Sequence, residues 1–354
     1  MSATREKHRR AALKAWDTIR KKHREERVKG AEKLTKWINS EEIGKITHPE
    51  ISEEHSKNIW PGNGVIKLFN KTPDDIACGP FWEIRWAYGC PLNCSYCYLR
   101  GTMRGRMKPS YVRFEEIERC AREAFERIKE PSIFNSGELS DSLMNSSLMG
   151  QIVDLFEEQQ KHKIYLLSKY GIKNIGFLLE KPRKQVICGW SINPDIVASR
   201  WEARAAVPSD RIEAASLVWE MGYDTRIRID PIFPVDNWKK YYGKLLEDIF
   251  STFLPNRIIL GTPRGLWKTI NYANKAGVDM SWTKYFKEDT GWGKKLPFEL
   301  RKEIYTFFYD KLSYLNYPKH KISICKETQR MWEEIDIKNK RKICNCYGIH
   351  SYNP

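Results

Sequence analysis

The sequence predicts an α/β protein built as a partial (β/α)6, TIM-like barrel, with a basic helical arm before it and a cysteine-containing cap after it. Three observations carry this. Strand-like and helix-like runs alternate from about residue 80 onward, the signature of parallel βαβ units. Six strand-like runs are present, over 81–86, 132–135, 163–168, 185–193, 225–229 and 257–261. A cysteine-rich loop follows directly on the first of them, and in such barrels chemistry gathers at the C-terminal ends of strands.

Along the chain, residues 1–40 read as the arm. Lys and Arg recur there among sparse apolar positions such as Leu13, Trp16 and Ile19, as in a basic helix able to lie along phosphates. Residues 41–75 hold Gly44, Pro49, Pro61, Gly62, Gly64 and Pro73 and read as a linker. The barrel is expected over 76–315, with helices at 114–129, 147–161, 172–180, 209–221, 238–252 and 298–314. Residues 316–354 form the expected cap.

Composition narrows the class. No run of about 18 apolar residues occurs, so no membrane span is expected. The N-terminus is too polar for a secretory signal, which predicts a cytoplasmic protein (host cytoplasm if the source is a virus). Nine cysteines in such a setting read as metal ligands, reactive thiols or core residues. A formal net charge of +16 suits a polyanionic partner, most simply nucleic acid.

The most specific signal is Cys90-Pro-Leu-Asn-Cys94-Ser-Tyr-Cys97. Three thiolates on one tight loop can hold three irons of a [4Fe–4S] cluster and leave the fourth iron open. A zinc site normally takes four ligands in paired spacing, and the next cysteines, Cys120 and Cys188, are distant and unpaired. Cys120 falls at helical spacing with Ile117, Ala121 and Ala124 and reads as core. Near the C-terminus, Cys325, Cys344 and Cys346 form a second candidate metal set, for an iron–sulfur cluster or zinc, with His350 as a further ligand.

Other polar groups fall at strand ends. Gly137 and Glu138 follow the second strand, where glycine admits close approach of a ligand. Ser191 and Asn193 share one face of the fourth strand, and Arg226, Arg228 and Asp230 share one face of the fifth. Trp267, Trp282 and Trp292, each with lysines nearby, are candidates to stack on an extruded base or to anchor the core.

The CX3CX2C loop resembles the radical S-adenosylmethionine (SAM) superfamily. With FNSGELSDSL, GWSIN and RIEAASLVWEMGYDTRIRIDPIFP, the chain from about 75 to 265 resembles its spore photoproduct lyase group. The resemblance implies a [4Fe–4S] cluster on Cys90, Cys94 and Cys97, with SAM on the open iron. Tyr96, Gly137, Glu138, Ser191 and Asn193 would position SAM. Tyr96 and Tyr98 would relay a radical, and Glu138, Arg228 and Asp230 would line the reaction site. It also implies a thymine-derived base in DNA as substrate and an external electron donor such as flavodoxin or ferredoxin.

One departure matters. The lyases carry a hydrogen-donating cysteine in an FEAACTSD segment, and Glu138 stands at that position here. Strand alternation puts Cys188 on the face opposite Ser191 and Asn193. Without a thiol donor, hydrogen would return from 5′-deoxyadenosine and the reaction would be an isomerisation, as in phage pathways that hypermodify thymidine. The alternatives are a photoproduct lyase with a relocated donor and a nucleic-acid-binding protein with a structural cluster.

Overall fold

The computed structural model describes residues 60–335. The basic arm, Cys344, Cys346 and His350 lie outside the described residues. The strands in chain order are β1 (Ile66–Phe69), β2 (Phe81–Ile84), β3 (Ala87–Tyr88), β4 (Ser110–Tyr111), β5 (Ile133–Asn135) and β6 (Lys163–Ser168). They continue as β7 (Val186–Ser191), β8 (Asp224–Ile229), β9 (Arg257–Leu260), β10 (Glu288–Thr290), β11 (Gly293–Lys295) and β12 (Ile322–Ile324). The main sheet runs β1-β2-β5-β6-β7-β8-β9-β12. Within it only β1 pairs antiparallel, so the fold is mixed α/β with a mainly parallel sheet. No helix among the described residues is long and apolar enough to cross a membrane.

The six expected strands are consecutive neighbours in this sheet, but the sheet has eight. The two extra strands come from outside the expected barrel limits: β1 from the linker and β12 from the cap. Both are too short, at four and three residues, to show a period against their polar surroundings.

Strand alternation divides the core. Cys188 and Trp190 of β7 and Ile227 and Ile229 of β8 join the large cluster that the helices cover. Ile133, Tyr165 and Ile187 pack together on the other face, with Leu167 against them. Arg226, Arg228 and Asp230 share that second face, because parity is strict along a strand. Burial on both faces is why β7 and β9 are buried along their whole length.

Helices 238–252 and 298–314 match expectation. Helix Phe114–Arg127 buries Ile117, Cys120, Ala121 and Ala124, so Cys120 is a core residue. The run expected as one helix over 172–180 is a 3-10 turn at Ile172–Asn174 and a helix at Gly176–Glu180, broken beside a poor helix former. The helices Asp195–Trp201 and Trp267–Lys275 were not expected. Both are short and follow loops, so each offers few turns of apolar periodicity.

Candidate active site

The cysteine loop is held by its own chain and by a neighbouring strap. Gly89 has φ +85°, and a Cβ there would meet the Lys108 carbonyl oxygen at 2.8 Å and that of Met107 at 2.9 Å. Only glycine fits this approach. The Cys90 amide then donates to the Met107 carbonyl (3.0 Å). Arg100, buried, reaches back under the loop. Its Nε donates to the Cys94 carbonyl (3.1 Å), and its Nη2 to the carbonyl (3.2 Å) and Oδ1 (2.7 Å) of Asn93. Asn93 itself takes the left-handed turn, φ +59°.

Cys90, Cys94 and Cys97 carry free thiols and line one cavity of about 470 Å³. Burial pushes all three thiols up, with added repulsion from Asp141 at Cys90 and from Glu202 at Cys94. Such thiols ionise only beside a cationic centre. Among the described residues no three Cys, His, Asp or Glu side chains converge on a single metal ion.

The cavity floor is the segment after β5. At Gly137 a Cβ would lie 2.9 Å from the Leu167 Cβ, so the packing requires glycine. Asp141 ties this segment to the end of β6. It accepts from Leu143 N (3.0 Å), Ser168 Oγ (2.7 Å) and Lys169 N (2.8 Å). Burial raises its pKa despite these bonds. Glu138 lines the cavity and makes no ion pair among the described residues. Tyr98 donates its hydroxyl to the Glu138 carbonyl and stands 3.4 Å from its carboxylate. Glu138 also raises the pKa of the neighbouring Glu83, where burial is the larger cause.

A buried network forms one wall. Tyr96 lines the cavity and donates its hydroxyl to Glu202. Glu202 also pairs with Arg211 (2.6 Å), accepts from Asn193 Nδ2 (3.1 Å) and stands 3.8 Å from Lys169 Nζ. Lys169 Nζ donates to Ser191 Oγ and lies 5.9 Å from the Tyr96 ring centre. Ser191 lines the cavity, but Asn193 does not. Fully buried, Asn193 bonds Glu202 and accepts from the Tyr242 hydroxyl (3.0 Å). Asn193 thus meets the cavity wall through Glu202: β7 ends at Ser191, and the strand parity that paired the two residues ends with it.

The opposite wall centres on Asp230. Arg228 gives it Nη2 (2.6 Å) and Nε (3.1 Å), and Arg264 Nη2 lies 3.0 Å from both its oxygens. Burial opposes ionisation of Asp230, but the two guanidiniums outweigh it and hold the carboxyl well below its usual range. Cys325, at the end of β12, has its thiol 3.0 Å from Arg228 Nη2. The other members of its expected metal set, Cys344 and Cys346, lie outside the described residues. A guanidinium disfavours a neighbouring cation, and no second described ligand stands beside Cys325.

At the rim, Lys326 Nζ lies 4.7 Å from the Trp292 ring centre, and Phe69 is 6.0 Å from Trp292. Trp267 is 74% exposed and Trp282 fully buried, so Trp282 is a core anchor. Sequence reasoning missed Lys169, Glu202, Arg264 and Lys326. Lys169, Arg264 and Lys326 lie in loops beyond strand ends and Glu202 follows the helix Asp195–Trp201, where neither periodicity nor a motif marks them.

The spore photoproduct lyase family model matches residues 78–259. The spore photoproduct lyase of Clostridium acetobutylicum is 27% identical over 220 residues, covering 59% of this chain and 64% of that protein. That of Bacillus subtilis is 29% identical over 176 residues, covering 48% and 50%. The chain thus spans between half and just under two thirds of these curated relatives. Among solved structures, a spore photoproduct lyase point mutant superposes with a TM-score of 0.61 at 18% identity, covering 84% of this chain and 93% of that one. A spore photoproduct lyase complexed with dinucleoside spore photoproduct gives 0.59 at 18% identity, covering 69% and 75%. These structures share the fold.

Proposed function

The chain belongs to the spore photoproduct lyase family, and we propose that it is a radical SAM enzyme acting on a thymine-derived base in DNA. One observation carries this reading: three free thiols and a set of buried charged side chains line one cavity at the C-terminal ends of parallel strands. Cys90, Cys94 and Cys97 would hold a [4Fe–4S] cluster. Gly137 clears the floor for SAM, and Glu138, Ser191 and Lys169 offer an acceptor and donors for its amino and carboxylate groups. When bound, this pair supplies reductive cleavage of SAM and the abstraction of a hydrogen atom from the substrate.

The chain's own residues set the geometry. Glu202 fixes Tyr96 and, through Asn193, Tyr242. Asp230 clamps Arg228 and Arg264, which leaves both guanidiniums oriented along the wall. Trp292 and Phe69 give a base an apolar face at the rim.

The finer reading is isomerisation of a modified thymidine, in a pathway such as phage DNA hypermodification. It is supported by Glu138 at the family's thiol-donor position and by the cavity lining, whose only cysteines among the described residues are the three of the loop. A carboxylate has no S–H bond to give. The second reading, a photoproduct lyase with a relocated donor, is favoured by Cys325 on the far side of Arg228.

The test is anaerobic reconstitution, chemical reduction and incubation with SAM and two DNAs in deuterated water, followed by nucleoside mass spectrometry. One DNA carries the photoproduct and the other an amino-acid-bearing thymidine. Isomerisation without deuterium uptake supports the first reading. A split photoproduct carrying deuterium supports the second. Neither a changed nucleoside nor any 5′-deoxyadenosine with either DNA overturns both and leaves a structural cluster.

A further inference from the structure

We infer that the strap at residues 103–108 is the docking face for an acidic protein that delivers single electrons to the cysteine loop. This rests on the iron–sulfur reading above.

The strap is bonded to the loop directly at one point and through Arg100 at another. The Met107 carbonyl accepts from the Cys90 amide (3.0 Å), and the Gly105 amide donates to the Arg100 carbonyl (2.8 Å). Arg100 in turn holds the carbonyls of Asn93 and Cys94. Met103 and Met107 turn inward onto the cluster of Cys90, Leu92, Cys94 and Leu99. Arg104, Arg106 and Lys108 turn outward, exposed and without an ion pair among the described residues. A charge carrier seated on these three cations would be separated from Cys90 by one short stretch of backbone and one hydrogen bond. Electron tunnelling falls off steeply with distance, so this proximity matters.

The strap and the helix beside it carry cations and no carboxylate. No Asp or Glu occurs between Leu99 and Arg113. The helix Trp267–Lys275 packs alongside, with the Tyr272 ring 3.2 Å from where a Gly105 Cβ would stand, and it too has no carboxylate. It adds exposed Lys268 and Lys275 and the 74% exposed Trp267, an aromatic of the kind that anchors interfaces.

The position suits an electron carrier, because the strap bonds the cysteine loop without lining the base cavity. The cavity wall includes Leu99 and Thr102, but none of residues 103–108 lines it. These cations therefore stand outside the space a substrate base enters. The cationic groups that do line it are others, among them Lys169, Arg228, Arg264 and Lys326. The fitting partner is a small protein with an acidic face around a low-potential flavin or iron–sulfur centre. On each encounter the partner loses one electron and the oxidised cluster gains it. No atom or proton need pass between them.

The test compares the full chain with R104E/R106E/K108E and with R104Q/R106Q/K108Q. An oxidised flavodoxin is titrated into each metal-free chain by calorimetry. Reconstituted chains are then reduced by reduced flavodoxin or by dithionite, and the loss of visible cluster absorbance is timed. In the charge-reversed chain, flavodoxin affinity and flavodoxin-driven reduction should fall about tenfold or more at low salt, with the neutral variant between. The dithionite rate should stay within about twofold, which certifies the fold, and added salt should bring the wild type toward the variants. Flavodoxin binding unchanged within about twofold overturns the inference, as does a loss of duplex DNA affinity larger than the loss of flavodoxin affinity. A chain that takes up no iron overturns the preceding reading instead, and the calorimetric titration, which needs no cluster, still decides the surface.

Discussion

Glu202 shows how one buried carboxylate organises a site. Burial alone would raise its pKa, but the charges of Lys169 and Arg211 and the bonds from Tyr96 and Asn193 outweigh it and hold the value at about 2. The folded value lies below the unfolded one, so the stabilisation is complete above about pH 4.5 and is lost as pH falls toward about 2. Glu202→Gln leaves Arg211, also fully buried, without its counter-charge. The expected cost at pH 7 is about 3–5 kcal/mol in denaturant unfolding, shrinking as pH approaches 2–3. An equal gap at both pH values would mean that packing, not charge, carries the effect. Glu202 was invisible in the sequence because it follows an unexpected helix, whereas Arg228 and Asp230 were legible because strand parity alone puts them on one face.

At the scale of elements, β12 and the segment after it complete the cavity wall. Lys326 takes a left-handed conformation, φ +53°. Glu327 follows it, fully buried, and accepts from Lys295 (2.8 Å), Thr262 (2.9 Å), Tyr305 (3.0 Å) and Arg301. Lys295 also donates to the Lys326 carbonyl (2.9 Å). Glu327→Ala strands buried Lys295 and leaves Arg301 only Glu288, and should cost about 3–5 kcal/mol. It should also raise amide exchange across residues 322–335 more than across β6 and β7; uniform exchange would show that the network serves global stability alone. The central strands were readable from their apolar runs, and the long helices from their period. The edge strands were not: β12 pairs with β9, which lies far back in the chain, and β1 is only four residues long.

For the whole molecule, charge makes the sharpest expectation. Residues 1–37 carry thirteen Lys or Arg against five Asp or Glu, half of the net +16. If this arm lies on phosphates, R20Q/K21Q/K22Q/R24Q should make the slope of log affinity against log salt shallower by about 0.9 for each phosphate left unneutralised, up to about 4 in all. An unchanged slope would mean that other cations of the chain neutralise the phosphates. The fold class, the cysteine loop and the parity of β8 were legible in sequence because each rests on local pattern. The cavity's closing residues were not, since they are assembled from separate loops far apart in the chain.

That assembly has a consequence for how the protein is made. The thiols at 90–97 leave the ribosome about 230 residues before Glu327, an interval of roughly 10–50 s at 5–20 residues per second. During that interval the three thiols are present while Arg264, Lys326 and the Glu327 network are not. A nascent chain therefore offers its cysteines to oxygen and stray metals before it has a site to protect them. On the iron–sulfur reading, iron loading would belong to the finished chain, and biogenesis would have to keep these thiols reduced until translation ends.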